Sequence, residues 1–223
     1  LLPSRRWLYL THRWLGIVLC LFFAMWFVSG VVMMYVGYPK LTPDEALAHS
    51  PPIVAETIRV TPAQAARLSG VTAIKDIRLA ANVGGFTAYL ITSDAGPASD
   101  KRRRSAAAAV VVNATTGEIV PRADAAAATL AAQRYFAQEG SVAPVTYRGG
   151  IGEDAYTHSR ALDGHRPLHL VAGGEGGATW LYLSATTGEV VRDATATERL
   201  WNFAGAWIHW LYPFRDTVFE PYW

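Results

Sequence analysis

Cysteine is nearly missing from this chain: Cys20 is the only one in 223 residues. That excludes an intramolecular disulfide and a thiolate metal site, and because Cys20 lies inside an apolar run it reads as an inert buried thiol. Charge is scarce too, at 17% of residues, and nearly balanced at a formal +2. No electrostatic case therefore exists for nucleic acid as a partner. A Gly-x-Ser-x-Gly nucleophile motif is absent, and Gly173-Gly174-Glu175-Gly176-Gly177 lacks the lysine and the strand-to-helix context of a phosphate loop, so it reads as a hairpin turn. Hydrolase and nucleotide-binding readings fall away. What remains, with 51% apolar residues, has the composition of a packed domain with a membrane segment attached.

The longest absence is of charge itself. None occurs between Trp14 and Val36, a stretch of 23 residues, which as a helix rising 1.5 Å per residue covers about 34 Å, enough to cross a bilayer. A cleavable signal peptide has a shorter apolar region, roughly 7–15 residues, ending at small residues. This run instead leads into Tyr35, Tyr38 and Pro39 and reads as a retained anchor. Arg5, Arg6 and Arg13 flank its start, so the positive-inside rule places the N-terminus in the cytoplasm and exports the bulk of the chain. Trp7, Tyr9 and Trp14 on one side, with Tyr35 and Tyr38 on the other, fit interfacial aromatic belts. The one basic run, Lys101-Arg102-Arg103-Arg104, reads as a solvated loop tip or as a contact to lipid headgroups or a partner. Because the sequence opens on Leu1 and stops at Trp223 within an aromatic stretch, further residues are expected at both ends.

The exported part carries a repeat. Ala114-Thr115-Thr116-Gly117-Glu118-Ile119-Val120 recurs as Ala185-Thr186-Thr187-Gly188-Glu189-Val190-Val191, offset by 71 residues. Each copy follows a strand-like run (109–112 and 180–183) and supplies glycine where a tight turn needs positive φ, so both read as β-hairpins. A helix-like segment precedes each: Thr61 as N-cap with Pro62 at the first helical position, and the alanine-rich 123–138. Residues 74–80 and 86–92 supply further strands of the first unit, and 142–147 and 168–172 those of the second. The expected fold class is α+β: a transmembrane helix with its cytoplasmic edge (1–38), two units of a helix on an antiparallel sheet (39–121 and 122–198), and an aromatic segment (199–223) that lies in the interface or starts a second span. Pro213 is expected to end or kink that last helix.

In order along the chain, His12-Arg13-Trp14-Leu15-Gly16, Ser29-Gly30, the two Thr-Thr-Gly-Glu turns and Trp207-Ile208-His209 make the sequence resemble the PepSY-associated transmembrane family of bacterial inner-membrane proteins. The resemblance covers nearly the whole length, though each motif is short. It implies PepSY-type units in the periplasm and, for some members, a b-haem-containing ferric or ferric-siderophore reductase. It also implies that His12 and His209 stand where membrane histidines could serve as axial ligands of haem b. The chain departs from the pattern by stopping before the remaining spans, which would be expected to supply the partner ligands from other transmembrane helices or subunits.

Helical spacing adds an independent argument. Gly16 lies one turn from His12, and Gly30 lies 18 residues away, five whole turns at 3.6 residues each, so all three share a face. Gly205 sits four residues before His209. Such faces leave room for a flat macrocycle, and equally serve close helix–helix packing. His12 thus stands as a haem ligand, a packing residue or an interfacial bystander. His12 and His209 belong at opposite membrane edges, about 25–30 Å apart, and cannot ligate one iron. His158, His165 and His169, with Asp154, Asp163 and Tyr156 nearby, offer donors for a transition metal but at no recognised spacing. They read as ordinary surface or strand residues otherwise, and His49 as a loop residue. Three functions stay open: transmembrane electron transfer to periplasmic iron, a non-catalytic accessory subunit that binds a partner through its PepSY-like part, and regulation of a periplasmic protease.

Overall fold

The computed structural model describes residues 3–81, 85–93 and 109–214; the basic run 101–104 and the residues from 215 onward lie outside them. The chain divides into two compact units, one of Leu1–Pro39 with Thr197–Trp223 and one of Lys40–Ala196.

In the first unit α1 (Pro3–Tyr35) is one continuous helix. Among the described residues it is the one helix long and apolar enough to cross a membrane. Its large side chains face outward, with Phe27 and Met34 76% and 78% exposed. That is the reverse of a core helix in a water-soluble fold, which buries its apolar stripe. Against the C-terminal part of α1 packs a return segment, in which α5 (Ala196–Asn202) runs into a π-helical turn, Phe203–Trp207. The helix ends where Leu211 adopts φ 53°, so the stop falls ahead of Pro213 rather than at it.

The second unit holds two antiparallel meanders, each preceded by a helix. The short α2 (Pro43–Ala48) and α3 (Pro62–Leu68) come before β1 (Ile74–Ala81), β2 (Thr87–Ser93) and β3 (Val110–Asn113), while α4 (Ala125–Gln138) comes before β4 (Thr146–Ile151), β5 (Leu168–Gly173), β6 (Thr179–Ser184) and β7 (Val190–Ala194). Local chemistry sets the helix starts. Thr42 with Glu45, and Thr61 with Gln64, form reciprocal capping boxes with proline at the first helical position, and Asp124 Oδ1 accepts from the Ala127 amide at 2.8 Å; each cap satisfies amides the helix cannot.

The repeated heptapeptide makes the same turn twice. Asn113 Oδ1 accepts from the amides of Thr115 and Thr116 (2.8 and 3.1 Å), and the Ser184 hydroxyl accepts from those of Thr186 and Thr187 (3.2 and 3.0 Å). Gly117 and Gly188 follow at φ 79° and 74°, a conformation that strains any residue with a Cβ. Each turn is also tied to the start of its helix: the Val60 amide donates to Ala114 O (2.9 Å) and the Ala123 amide to Ala185 O (2.8 Å). The helices then lie on their sheets. Ala128, Ala131, Ala132, Tyr135 and Phe136 of α4 pack on Val171, Leu181 and Leu183, and Ala65 of α3 packs with Tyr89, Ile91 and Val112.

Two strands depart from expectation for identifiable reasons. The strand expected at 142–147 begins only at Thr146, because Pro144 has no amide to give a ladder and Val142 stands 99% exposed. It then continues through Gly149 and Gly150 with a bulge after Tyr147, which glycine at φ 128° accommodates. The first hairpin's return strand shrinks to a single Val112–Ile119 bridge, since Pro121 follows at once, whereas the second copy extends into β7. Gly173 lies so close beneath the Phe136 ring that a Cβ there would overlap the ring edge. Replacing Gly173 by alanine should therefore lower stability by about 1–3 kcal/mol, the usual range for an overpacked core, read as a lower Tm in thermal unfolding of the full chain. Gly176→Ala, with open space around it, is the comparison that carries only the backbone penalty of about 1 kcal/mol.

Candidate functional site

The seam inside the first unit is built around a polar pair in apolar surroundings. Ser29 is buried at 2% exposure, and its hydroxyl donates to the Met25 carbonyl one turn back at 2.8 Å. The same oxygen lies 3.0 Å from His209 Nδ1. With its single proton committed to the carbonyl, the Ser29 oxygen can only accept, so the proton of this contact belongs to His209 Nδ1. In the neutral ring Nε2 then carries the lone pair. No partner for Nε2 exists among the described residues. Ligating histidines are commonly oriented by donating one ring N–H to an oxygen acceptor, which leaves the other nitrogen for the metal.

The histidine's backbone is held as well. Trp26 Nε1 donates to His209 O at 3.0 Å, satisfying a carbonyl that the ending helix leaves open. The π-helical turn that precedes His209 brackets a stacked pair, Phe203 and Trp207, with ring centroids 4.6 Å apart. Further along, Tyr38 and Tyr212 meet hydroxyl to hydroxyl at 3.3 Å.

The glycines divide by surroundings. A Cβ on Gly30 would meet the His209 ring at 3.5 Å, in ordinary contact, and one on Gly205 would come within 3.0 Å of Val32 Cγ1 and 3.3 Å of Met33 Cγ. Both therefore sit in the packing seam, and Gly205 is the more tightly enclosed of the two. Gly16 has nothing within 4 Å. Beside it His12 is exposed and makes no hydrogen bond among the described residues. His12 precedes Ser29 by 17 residues, about 26 Å along the helix axis, so the structure does not bring His12 and His209 together.

The other histidines are engaged one by one. His169 uses both ring nitrogens, Nδ1 toward Tyr147 Oη (2.9 Å) and Nε2 toward Ala123 O (2.9 Å). His158 pairs with Glu153. His49, expected in a loop, ends α2, stacks on Tyr135 at 3.8 Å and bonds Glu45 O and Glu139. Asp154, instead of facing a metal, accepts from Tyr156 N, Thr157 Oγ1 and Tyr182 Oη. Among the described residues no group of three or more His, Cys, Asp or Glu could hold a metal ion.

His165 is half-buried. Ser184 Oγ already accepts two turn amides, so its own proton points to His165 Nδ1 at 3.0 Å. Burial holds the pKa of that ring below the ordinary value, with Glu189 opposing and Arg78 adding. Comparison of the chain with protein-family models, with curated proteins and with solved structures found no match.

Sequence reasoning placed His209 at a membrane edge but missed Ser29 as its partner. The available signal was that Ser29 is the one serine or threonine in the charge-free run. Nitrogen-15 NMR of His209 should report the proton on Nδ1, and Ser29→Ala should shift the ring toward the other tautomer; an unchanged spectrum in that variant would overturn the assignment. For His165, a lowered folded pKa means the unfolded chain binds more protons just below pH ~6.5, so stability should fall as pH drops through that window and level off once both states are protonated. Tm of the full chain between pH 8 and 5 checks this, with His165→Gln expected to flatten that part of the profile.

Proposed function

We propose that this chain is a membrane-anchored protein of the PepSY-associated transmembrane type that contributes histidine ligands to b haem in an electron-transfer assembly delivering electrons to periplasmic ferric or siderophore-bound iron. In this reading the protein lies in a bacterial inner membrane with its N-terminus in the cytoplasm and the 40–196 unit in the periplasm. The observation that carries the proposal is the oriented imidazole: His209 Nδ1 held by Ser29 and Nε2 left without a partner. The residues fit the group at this position, because haem iron takes an imidazole nitrogen as axial ligand.

His209 would hold one haem through Nε2, and His12, beside the open surface at Gly16, would hold a second near the other face. The haem supplies one-electron chemistry. The protein's own part is to orient His209 through Ser29 and Trp26, to keep the seam dry, and to keep the two histidines about 26 Å apart, so that they serve separate haems. The second ligand of each would come from a helix of another subunit or of another part of the assembly, and α1 has apolar surface for such neighbours along most of its length.

The second reading is a non-catalytic accessory subunit that binds a partner through the 40–196 unit. It is favoured by the close packing at Gly30 and Gly205, which gives those glycines a purely structural use. The deciding experiment purifies the protein with its membrane partners from haem-replete cells and records a dithionite-minus-oxidised spectrum. A b-type α-band is expected, roughly halved in His209→Ala with the complex still assembled. No α-band, with partners retained, selects the accessory reading.

A further inference from the structure

We propose that the N-terminal end of α1 carries a binding face for the headgroup of an anionic phospholipid, formed by Arg5, Arg6, Tyr9 and Arg13. With each residue turning the helix by about 100°, Arg6 and Arg13 fall about 20° apart, Arg5 stands about 100° from Arg6, and Tyr9 lies between them. All four therefore share an arc of about 100°, while Trp7, Thr11 and Trp14 stand on the opposite side. The four side chains are exposed. Among the described residues none of the three arginines makes an ion pair or a hydrogen bond. No acidic residue occurs before Asp44, so no carboxylate one turn away on the helix neutralises them. The positive-inside rule concerns only the side of the membrane on which a charge lies; a shared arc is a further property, and it is the one a ligand meeting several guanidiniums at once requires.

Placement selects the anion. Arg13 borders the charge-free run, and Arg5 and Arg6 lie about 10–12 Å further along the axis. Arginine stems are long enough to bring their charged heads into the headgroup layer from both of these levels. A guanidinium offers phosphate oxygens a planar fork of donors, and the Tyr9 hydroxyl adds a donor within the same arc. A zwitterionic lipid brings its own cation beside its phosphate, which competes with the arginines. A net-anionic lipid leaves the phosphodiester to them. The inference rests on α1 crossing a membrane and needs no haem.

The test reconstitutes the full chain in phosphatidylcholine bilayers containing a minor share of phosphatidylglycerol. Electron paramagnetic resonance of spin-labelled phosphatidylglycerol and of spin-labelled phosphatidylcholine then compares the motionally restricted fraction of each. A relative association constant at least about threefold in favour of phosphatidylglycerol is expected, less than several basic residues near a surface can supply because one leaflet alone meets the arc. Arg5→Gln/Arg6→Gln/Arg13→Gln should bring the ratio to about one, and Lys40→Gln, at the other end of the span, should leave it unchanged. Thr11→Arg/Arg13→Gln keeps the net charge but moves it to the opposite side of the helix, and should lower the ratio as well. A restricted lipid population without preference for phosphatidylglycerol, or a preference that survives the triple variant or the Thr11→Arg/Arg13→Gln exchange, would overturn the proposal and leave the membrane reading standing. No restricted lipid at all would overturn both.

Discussion

The same backbone contact closes each half of the mixed unit: the amide just ahead of a helix cap meets the alanine carbonyl of a turn far along the chain, Val60 (with the Arg59 amide beside it) to Ala114 and Ala123 to Ala185. Much else depends on this closure. It sets where α3 and α4 start relative to their sheets, and so which helix face meets the strands. It also fixes the side chains inside the turn, because the alanine that accepts is followed by the two threonine amides that Asn113 or Ser184 must satisfy. The two halves use this one device with different caps, Thr61 and Asp124, which shows that the interaction and not the particular residue is repeated.

The halves then diverge through small differences in sequence. Pro121 truncates the first return strand, while Val190 to Ala194 extends the second. The second turn therefore carries more: Glu189 reaches Arg78 of the first sheet, and Ser184 reaches His165. In the first copy the matching glutamate, Glu118, accepts from its neighbour Thr116 and, among the described residues, from no other side chain. A turn that is self-contained in one half thus joins the two halves in the other.

Features that depend on short stretches were legible in the sequence. The charge-free run, the capped helix at Thr61, the alanine-rich α4 and the glycine turns all follow from periodicity, cap chemistry and positive φ, which act within a few residues. What was not legible depends on pairs remote in sequence. Ser29 and His209 are 180 positions apart, and Arg78 and Glu189 are 111 apart; nothing local to either residue announces its partner. The end of β4 was misread because a bulge lets two glycines continue a strand that composition alone would break. The histidines at 158, 165 and 169 look like a cluster along the chain, yet each is drawn to a different hydrogen-bond partner once the strands take opposite directions.

The π-helical turn at Phe203–Trp207 has a consequence of its own. Such a turn accommodates one residue more than an α-helix closes, and each residue of an α-helix rotates the next by about 100°. The rotational setting of His209 is therefore a matter of residue count rather than residue type. Because the wide turn absorbs its additional residue, His209 faces Ser29, whereas the same number of residues wound as regular α-helix would set the imidazole about 100° away. The bulge acts as a vernier, and the phase it sets is as much a part of the site as the histidine.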